Sequence, residues 1–145
     1  MGEPVWSLDD FSVVYLDRLQ AGDAAGLGQL YVESAVLTTT GGPFGSSWVV
    51  GRGQIVAMIA QAMTQYTVDE QTVPAAPFEY HGPDQAARSG TFESTMTVKA
   101  TGERLTMTVS AFEVFGRTVD QGWQYLADHS TVTSITRSPP AEDPA

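Results

Sequence analysis

Apolar residues recur at helical spacing through the first half of the chain and at strand spacing through the second. Phe11, Val14, Tyr15 and Leu19 stand at i, i+3, i+4 and i+8, which places them on one stripe of a helix. Ser7, with Asp10 three residues on, has the spacing of a capping-box variant, in which the hydroxyl accepts an orphan amide and the acid sits near the positive helix end. Gly22 supplies the stop, and Asp23 caps a short second helix with Leu27, Leu30 and Tyr31 as its buried face. The β-branched run 35–40 reads as a strand. GGPFGSS at 41–47 is a loop by composition, and its one large apolar residue, Phe44, suits a lid. Extended residues 48–50 lead through Gly51-Arg52-Gly53 to a third amphipathic helix carrying Ile55, Met58, Ile59, Ala62 and Met63.

Beyond Tyr66 the pattern changes. Segments 68–73, 78–81, 86–98, 105–115 and 123–135 are rich in Thr, Val, Phe and Tyr, with turn residues at 74–77, 82–84, 101–102 and 121–122 between them. Three helices followed by a long antiparallel meander predict an α+β fold with a strongly curved sheet wrapped over the helices. Such curvature opens an internal pocket between sheet and first helix. The expected organisation is an N-terminal extension at 1–6, one domain at 7–136 and a disordered tail at 137–145.

Composition narrows the chemistry. The 145 residues include no cysteine, which excludes disulfides, thiol nucleophiles and Cys-based zinc sites. With two histidines, His81 and His129, no metal is expected, and no organic cofactor motif is present. Seven basic against 17 acidic residues give a net charge of −10, and the cations are scattered singly. Nucleic acid and anionic membranes are therefore poor partners, because both require a basic stripe. No signal-peptide pattern or span of about 20 apolar residues is visible, which leads to a cytoplasmic expectation.

The order of Ala21-Gly22-Asp23-Ala24, then 30–37 (LYVESAVL), then 50–55 (VGRGQI) and finally 122–130 (GWQYLADHS) resembles the NTF2-like superfamily, specifically its SnoaL-like branch. The resemblance covers about residues 8–136. It implies a conical α+β barrel with a deep apolar pocket, usually assembled as a homodimer. It leaves the activity open, since this fold hosts isomerases, epoxide hydrolases, dehydratases, polyketide cyclases and noncatalytic binding modules. In the ketosteroid isomerase pattern, a helix-one Tyr donates to an oxyanion, a first-strand Asp moves the proton and a later protonated Asp is a second donor. Tyr15 matches the first, but the base position falls at Thr39 and the second acid near Ser110, which disfavours that reaction. The same Thr39 removes the first-strand acid of the family's polyether epoxide hydrolases.

The candidate catalytic residues are accordingly Tyr15, Asp128 and His129. Asp128 and His129 are adjacent, so in a strand they face opposite sides and only one can serve the pocket. On the strand at 105–115, the resemblance phases Ser110 and Phe112 inward beside Phe92, Ser94 and Met96, with Tyr31, Phe44 and Trp48 completing the lining. The alternate set, Leu105, Met107, Val109, Ala111 and Glu113, would then meet a partner subunit. Glu70 and Glu93 are expected at the surface, and Arg52 is expected to bond carbonyls of the loop 41–47. Apolar walls with a few hydroxyls suit a neutral, partly oxygenated ligand such as a polyketide. The leading expectation is cofactor-free proton transfer, cyclisation or isomerisation, on such a ligand in bacterial secondary metabolism. Its alternatives are a noncatalytic carrier of an apolar intermediate and a dimerisation module.

Overall fold

A computed structural model describes residues 2–43, 45–72 and 80–140. The chain enters through a single 3-10 turn, Leu8–Asp10, that buries Leu8 and leads directly into α1 (Phe11–Gln20). The capping box expected at Ser7 does not form. The turn is closed instead by the backbone, with the Asp10 amide donating to the Ser7 carbonyl at 3.1 Å, and the Ser7 side chain makes no capping bond. Gly22, at φ +71°, ends α1 in the left-handed conformation that glycine adopts without steric cost. Asp23 then caps α2 (Ala24–Gly28) by accepting from the Gly26 amide at 2.9 Å.

Strand β1 (Tyr31–Thr40) begins earlier than its β-branched run suggests, so Tyr31 belongs to a strand and not to the second helix. After β2 (Ser47–Val50) comes α3 (Arg52–Gln65), which buries Ile55 and Ile59. The rest is sheet: β3 (Tyr66–Gln71), β4 (Tyr80–His81), β5 (Gln85–Val98), β6 (Arg104–Thr118) and β7 (Gly122–Ser138). The expected turn at 74–77, residues 78–79 and Phe44 lie outside the described residues.

The strand order is β2-β1-β7-β6-β5-β3, with β4 beside β5. All pairings are antiparallel except β1 with β7, so the sheet is a meander closed back on the first strand by one parallel ladder. Register shifts within β1/β7, β3/β5 and β6/β7 let the long strands bend. The result is the expected α+β cone: a curled, unclosed sheet with helices packed on it. Its two apolar clusters sit at different heights. One joins Phe11, Leu27, Leu30, Tyr31, Ile55, Phe115 and Tyr125; the other joins Val68, Met96, Met107 and Val109.

Both ends are more firmly held than the composition suggests. Val5 is buried and bridges the start of β7, with the Trp123 amide donating to its carbonyl at 2.8 Å, so residues near 5 are part of the domain. A Cβ at Gly122 would lie 2.4 Å from the Val5 carbonyl oxygen, which explains the glycine there. At the other end β7 runs past 136, because Arg137 and Ser138 pair with Leu105 and Arg104 and Arg137 bonds Glu103 at 2.8 Å. Residues 141–145 lie outside the described residues. Among the described residues no helix is long and apolar enough to cross a membrane.

Candidate active site

Between α1, α3 and the concave face of the sheet lies a cavity of about 490 Å³. Its walls are mainly apolar, with Leu37, Met58, Ile59, Phe92, Met107 and Val132 among them. Polar groups gather where α1 crosses the long strands. Arg88, Glu113 and Asp128 are direct cross-strand neighbours on β5, β6 and β7, so the ladders set them in one row across the cavity floor. Tyr15 reaches the same place from α1, and Tyr125 from β7.

Two hydrogen-bonded chains share this floor. In the first, the Arg88 Nε donates to Glu113 Oε1 at 3.0 Å, its Nη2 donates to Ser12 Oγ at 2.7 Å, and the Tyr125 hydroxyl donates to Glu113 Oε2. Arg88 and Glu113 are both buried, and the guanidinium also stands over the Phe115 ring. In the second chain, the Tyr31 hydroxyl donates to Asp128 Oδ2 at 2.8 Å and meets the Tyr15 hydroxyl at 3.0 Å. Tyr31 is fully buried behind the wall and packs edge-on or tilted against Tyr15 and Tyr125, whose ring stacks on Phe115. Aromatic packing thus fixes both phenols that reach Asp128's chain.

The floor holds two carboxylates and one cation. Glu113 has the cation in direct contact, whereas Asp128 lies one strand further away. Burial raises the Asp128 pKa first and the Glu113 charge second; the Tyr31 hydrogen bond and Arg88 pull the other way, and the balance stands at about 7. The hydroxyls of Tyr15, Tyr31 and Tyr125 are all pushed above the ordinary phenol value, by burial first and by nearby carboxylates. They remain protonated near neutrality and serve as hydrogen-bonding groups.

The structure brings Tyr15 and Asp128 together at this pole from opposite ends of the chain. His129 lies on the other face of β7, paired with Phe112 and Thr38 away from the cavity. Phe92, Ser94 and Met96 line the cavity, but Ser110 and Phe112 do not. Both point outward, and Phe112 is 44% exposed. The reason is register: Phe92 faces Val109 and Ser94 faces Met107, so the inward set on β6 is Met107, Val109, Ala111 and Glu113. Those residues consequently line the cavity instead of meeting a partner. Trp48, opposite Thr38 on β2, also points away from the cavity and is 77% exposed. Tyr31 acts through its hydroxyl from behind the wall.

Arg52 donates twice to the Tyr31 carbonyl, at 3.0 and 2.8 Å, and not to the loop 41–47. It pins the entry of β1 and so the Tyr31 ring. Glu70 and Glu93 are exposed as expected. Thr39 lines the cavity, and its buried hydroxyl has no hydrogen-bond partner among the described residues. On the neighbouring parallel strand Asp128 pairs with Leu37, two residues from Thr39. Among the described residues no cluster of His, Cys, Asp and Glu could hold a metal ion.

Arg88, Glu113 and Tyr125 are the residues that reading the sequence missed. Register counted back from the hairpin at 101–102 places Arg88 directly opposite Glu113, and an opposed cation and anion in phase with Leu105, Met107 and Val109 is a signal of a buried pair.

A model of the SnoaL-like domain matches residues 14–121, most of the chain, and the protein belongs to that family. The fold is correspondingly NTF2-like. A ketosteroid isomerase-like protein from Erwinia carotovora atroseptica is similar in structure at 17% identity and TM-score 0.72, covering 88% of this chain and 94% of that one. The hexachlorocyclohexane dehydrochlorinase LinA-type3 from Novosphingobium barchaimii superimposes with TM-score 0.70 at 11% identity, over 94% and 92% of the two chains. An NTF2-like protein with a cystatin-like fold from Novosphingobium aromaticivorans gives 0.62 at 20% identity, over 86% and 79%. Comparison with curated protein sequences returns no match.

The raised Asp128 pKa has a signed consequence for stability. Between the ordinary carboxylate value of about 4 and about 7, the folded state holds a proton that the unfolded state has released, so stability falls as pH rises through that window. Asp128→Asn removes this term. The variant is expected to be more stable than the parent by up to about 3–4 kcal/mol above pH 7, with little difference below about pH 4, as measured by urea unfolding across pH.

Proposed function

We propose that this cavity binds a neutral, largely apolar small molecule of polyketide type and that Asp128 moves one of its protons without cofactor, in a cyclisation or isomerisation of secondary metabolism. The observation that carries the reading is a carboxylate poised at about 7 in the wall of an apolar cavity. A base so placed is half ionised at the pH where it works, and the low local dielectric strengthens its interaction with any charge that develops nearby. Ionised Asp128 takes an acidic proton of the ligand, the electron pair stays on the ligand, and the same proton returns at another position. No atoms or electrons are gained or lost. Arg88 and Glu113 act as positioning residues, since both are held in their own ion pair. Among the described residues the cation lining the cavity, Arg88, is paired with Glu113, which favours a neutral ligand over a carboxylate or phosphate.

A noncatalytic carrier is the second reading. It is favoured by Thr39, which stands where related isomerases have an acid, and by the engagement of Glu113, which leaves Asp128 as the one carboxylate of the floor outside an ion pair. Turnover decides between the two. Screened against enolisable polycyclic ketones, the parent is expected to catalyse solvent proton exchange with a rate that rises through pH about 7 and levels off above it. Asp128→Asn should lower the rate at saturating ligand about 10²–10⁴-fold. Bound ligand with no exchange in the parent supports the carrier.

The outer face of the sheet suits a homodimer. Trp48, Thr38, His129 and Phe112 form one cross-strand row there, beside Val50, Val36, Ala127 and Val114. Trp48, Val50 and Phe112 are 77%, 54% and 44% exposed, an apolar surface that a second copy would cover. Native mass spectrometry is expected to show a dimer that Phe112→Asp combined with Trp48→Ser converts to monomer; a monomeric parent contradicts the assembly.

A further inference from the structure

The hydrogen-bond chain through Asp128 has a direction, and that direction selects the kind of group a ligand can offer. Each phenol carries one proton, and an ionised carboxylate only accepts. The Tyr31 proton is therefore committed to Asp128 Oδ2 at 2.8 Å. With that proton used, the Tyr31 oxygen is the acceptor in its 3.0 Å contact with Tyr15, so the Tyr15 proton turns toward Tyr31 and away from the cavity. Tyr15 and Asp128 line the cavity, whereas Tyr31 is buried behind it.

The neighbouring groups do not reverse this polarity. The Arg88 guanidinium donates to Glu113 and Ser12, and both Glu113 oxygens accept, from Arg88 and from Tyr125. With Asp128 ionised, what Asp128 and Tyr15 offer a ligand is a pair of acceptors, the second carboxylate oxygen of Asp128 and the Tyr15 oxygen, while Ser12, which accepts from Arg88, keeps a hydroxyl proton on the far side of the row. The oxyanion-donor role expected for Tyr15 is unavailable in this state, because its proton is in use.

We propose that the ligand binds with an enol or phenol hydroxyl of a neutral apolar ring system donating to the Asp128–Tyr15 acceptor pair. The proposal deepens the functional reading above and rests on the cavity being a ligand site. The proton step it implies is balanced. The ligand O–H bond breaks, an O–H bond forms on Asp128, and the electron pair remains on the ligand oxygen. The proton arrives on the second carboxylate oxygen, and from there Asp128 itself donates to the new oxyanion, while Tyr31 goes on donating to Oδ2 and Tyr15 to Tyr31. The chain then supplies a donor after the charge has appeared. A ligand that leads with a carbonyl finds no donor on the Asp128–Tyr15 pair until Asp128 is already protonated. The titratable and charged groups around Asp128 are Glu113 from β6, Arg88 from β5, Tyr125 from β7, Tyr31 from β1 and Tyr15 from α1; beside burial, Glu113, Tyr31 and Arg88 set its ionisation.

The test is calorimetric titration of the full chain with three probes of one shape: 2-naphthol, which donates, and 2-methoxynaphthalene and 2-acetylnaphthalene, which only accept. At about pH 8, 2-naphthol is expected to bind at least about tenfold tighter than either acceptor. At about pH 5.5, and in Asp128→Asn at both values, that preference should vanish or pass to 2-acetylnaphthalene. Equal or tighter binding of the acceptors by the parent at about pH 8 overturns the proposed polarity while leaving the cavity reading intact. Failure of all three to bind overturns the cavity reading and this proposal with it.

Discussion

One guanidinium faces two carboxylates across the floor of the cavity, and the character of the site follows from that shortage of positive charge. Arg88 is spent on Glu113 at 3.0 Å, and Tyr125 completes the shell of the same carboxylate. A buried pair broken on one side leaves an uncompensated charge worth about 3–5 kcal/mol, so this partnership is the arrangement the interior enforces. Asp128, the next residue along the row, faces the Glu113 charge with only one phenol and a more distant cation to offset it. Burial first, and that Glu113 charge second, hold its proton to near neutrality. A strand register thereby becomes an acid–base property.

The remainder of the molecule serves to hold that row in place. Long antiparallel strands β5, β6 and β7 set the three side chains at neighbouring positions, where strands lie about 4.8 Å apart. Phe11 packs edge-on against Phe115 and Tyr125, and Tyr125 against Tyr15, so α1 is locked over the floor by aromatic contacts. Arg52 anchors the carbonyl of Tyr31, whose hydroxyl is the link between α1 and Asp128. Apolar walls stand above the floor, so few groups other than its named neighbours act on the carboxylate.

Much of this was legible in the sequence. The helical stripe at Phe11, Val14, Tyr15 and Leu19, the Asp23 cap and the β-rich second half each carry a local physical signal, and the fold follows from their order. The alternation of Asp128 and His129 separates the two by face, and the β1 register places Asp128 inside. What failed was the phase of β6. Its alternating pattern puts Leu105, Met107, Val109 and Ala111 on one side, and simple burial of that side gives the observed answer; borrowing the phase from relatives inverted it. With the phase inverted, Glu113 pointed outward and its partner Arg88 went unnoticed. Tyr31 was misplaced because a strand that begins with a bulge after a short helix has no periodicity of its own to announce it.

The central claim is that Asp128 exchanges its proton near neutrality because it is buried beside the charge of Glu113, which holds Arg88. Carbon-13 NMR titration of the aspartate side-chain carboxyls, with the Asp128 resonance identified by its loss in Asp128→Asn, measures this directly. A midpoint near 7 that falls toward the ordinary carboxylate range in Glu113→Gln is the predicted result. A midpoint near about 4 in the parent protein, or one indifferent to Glu113, would contradict the account.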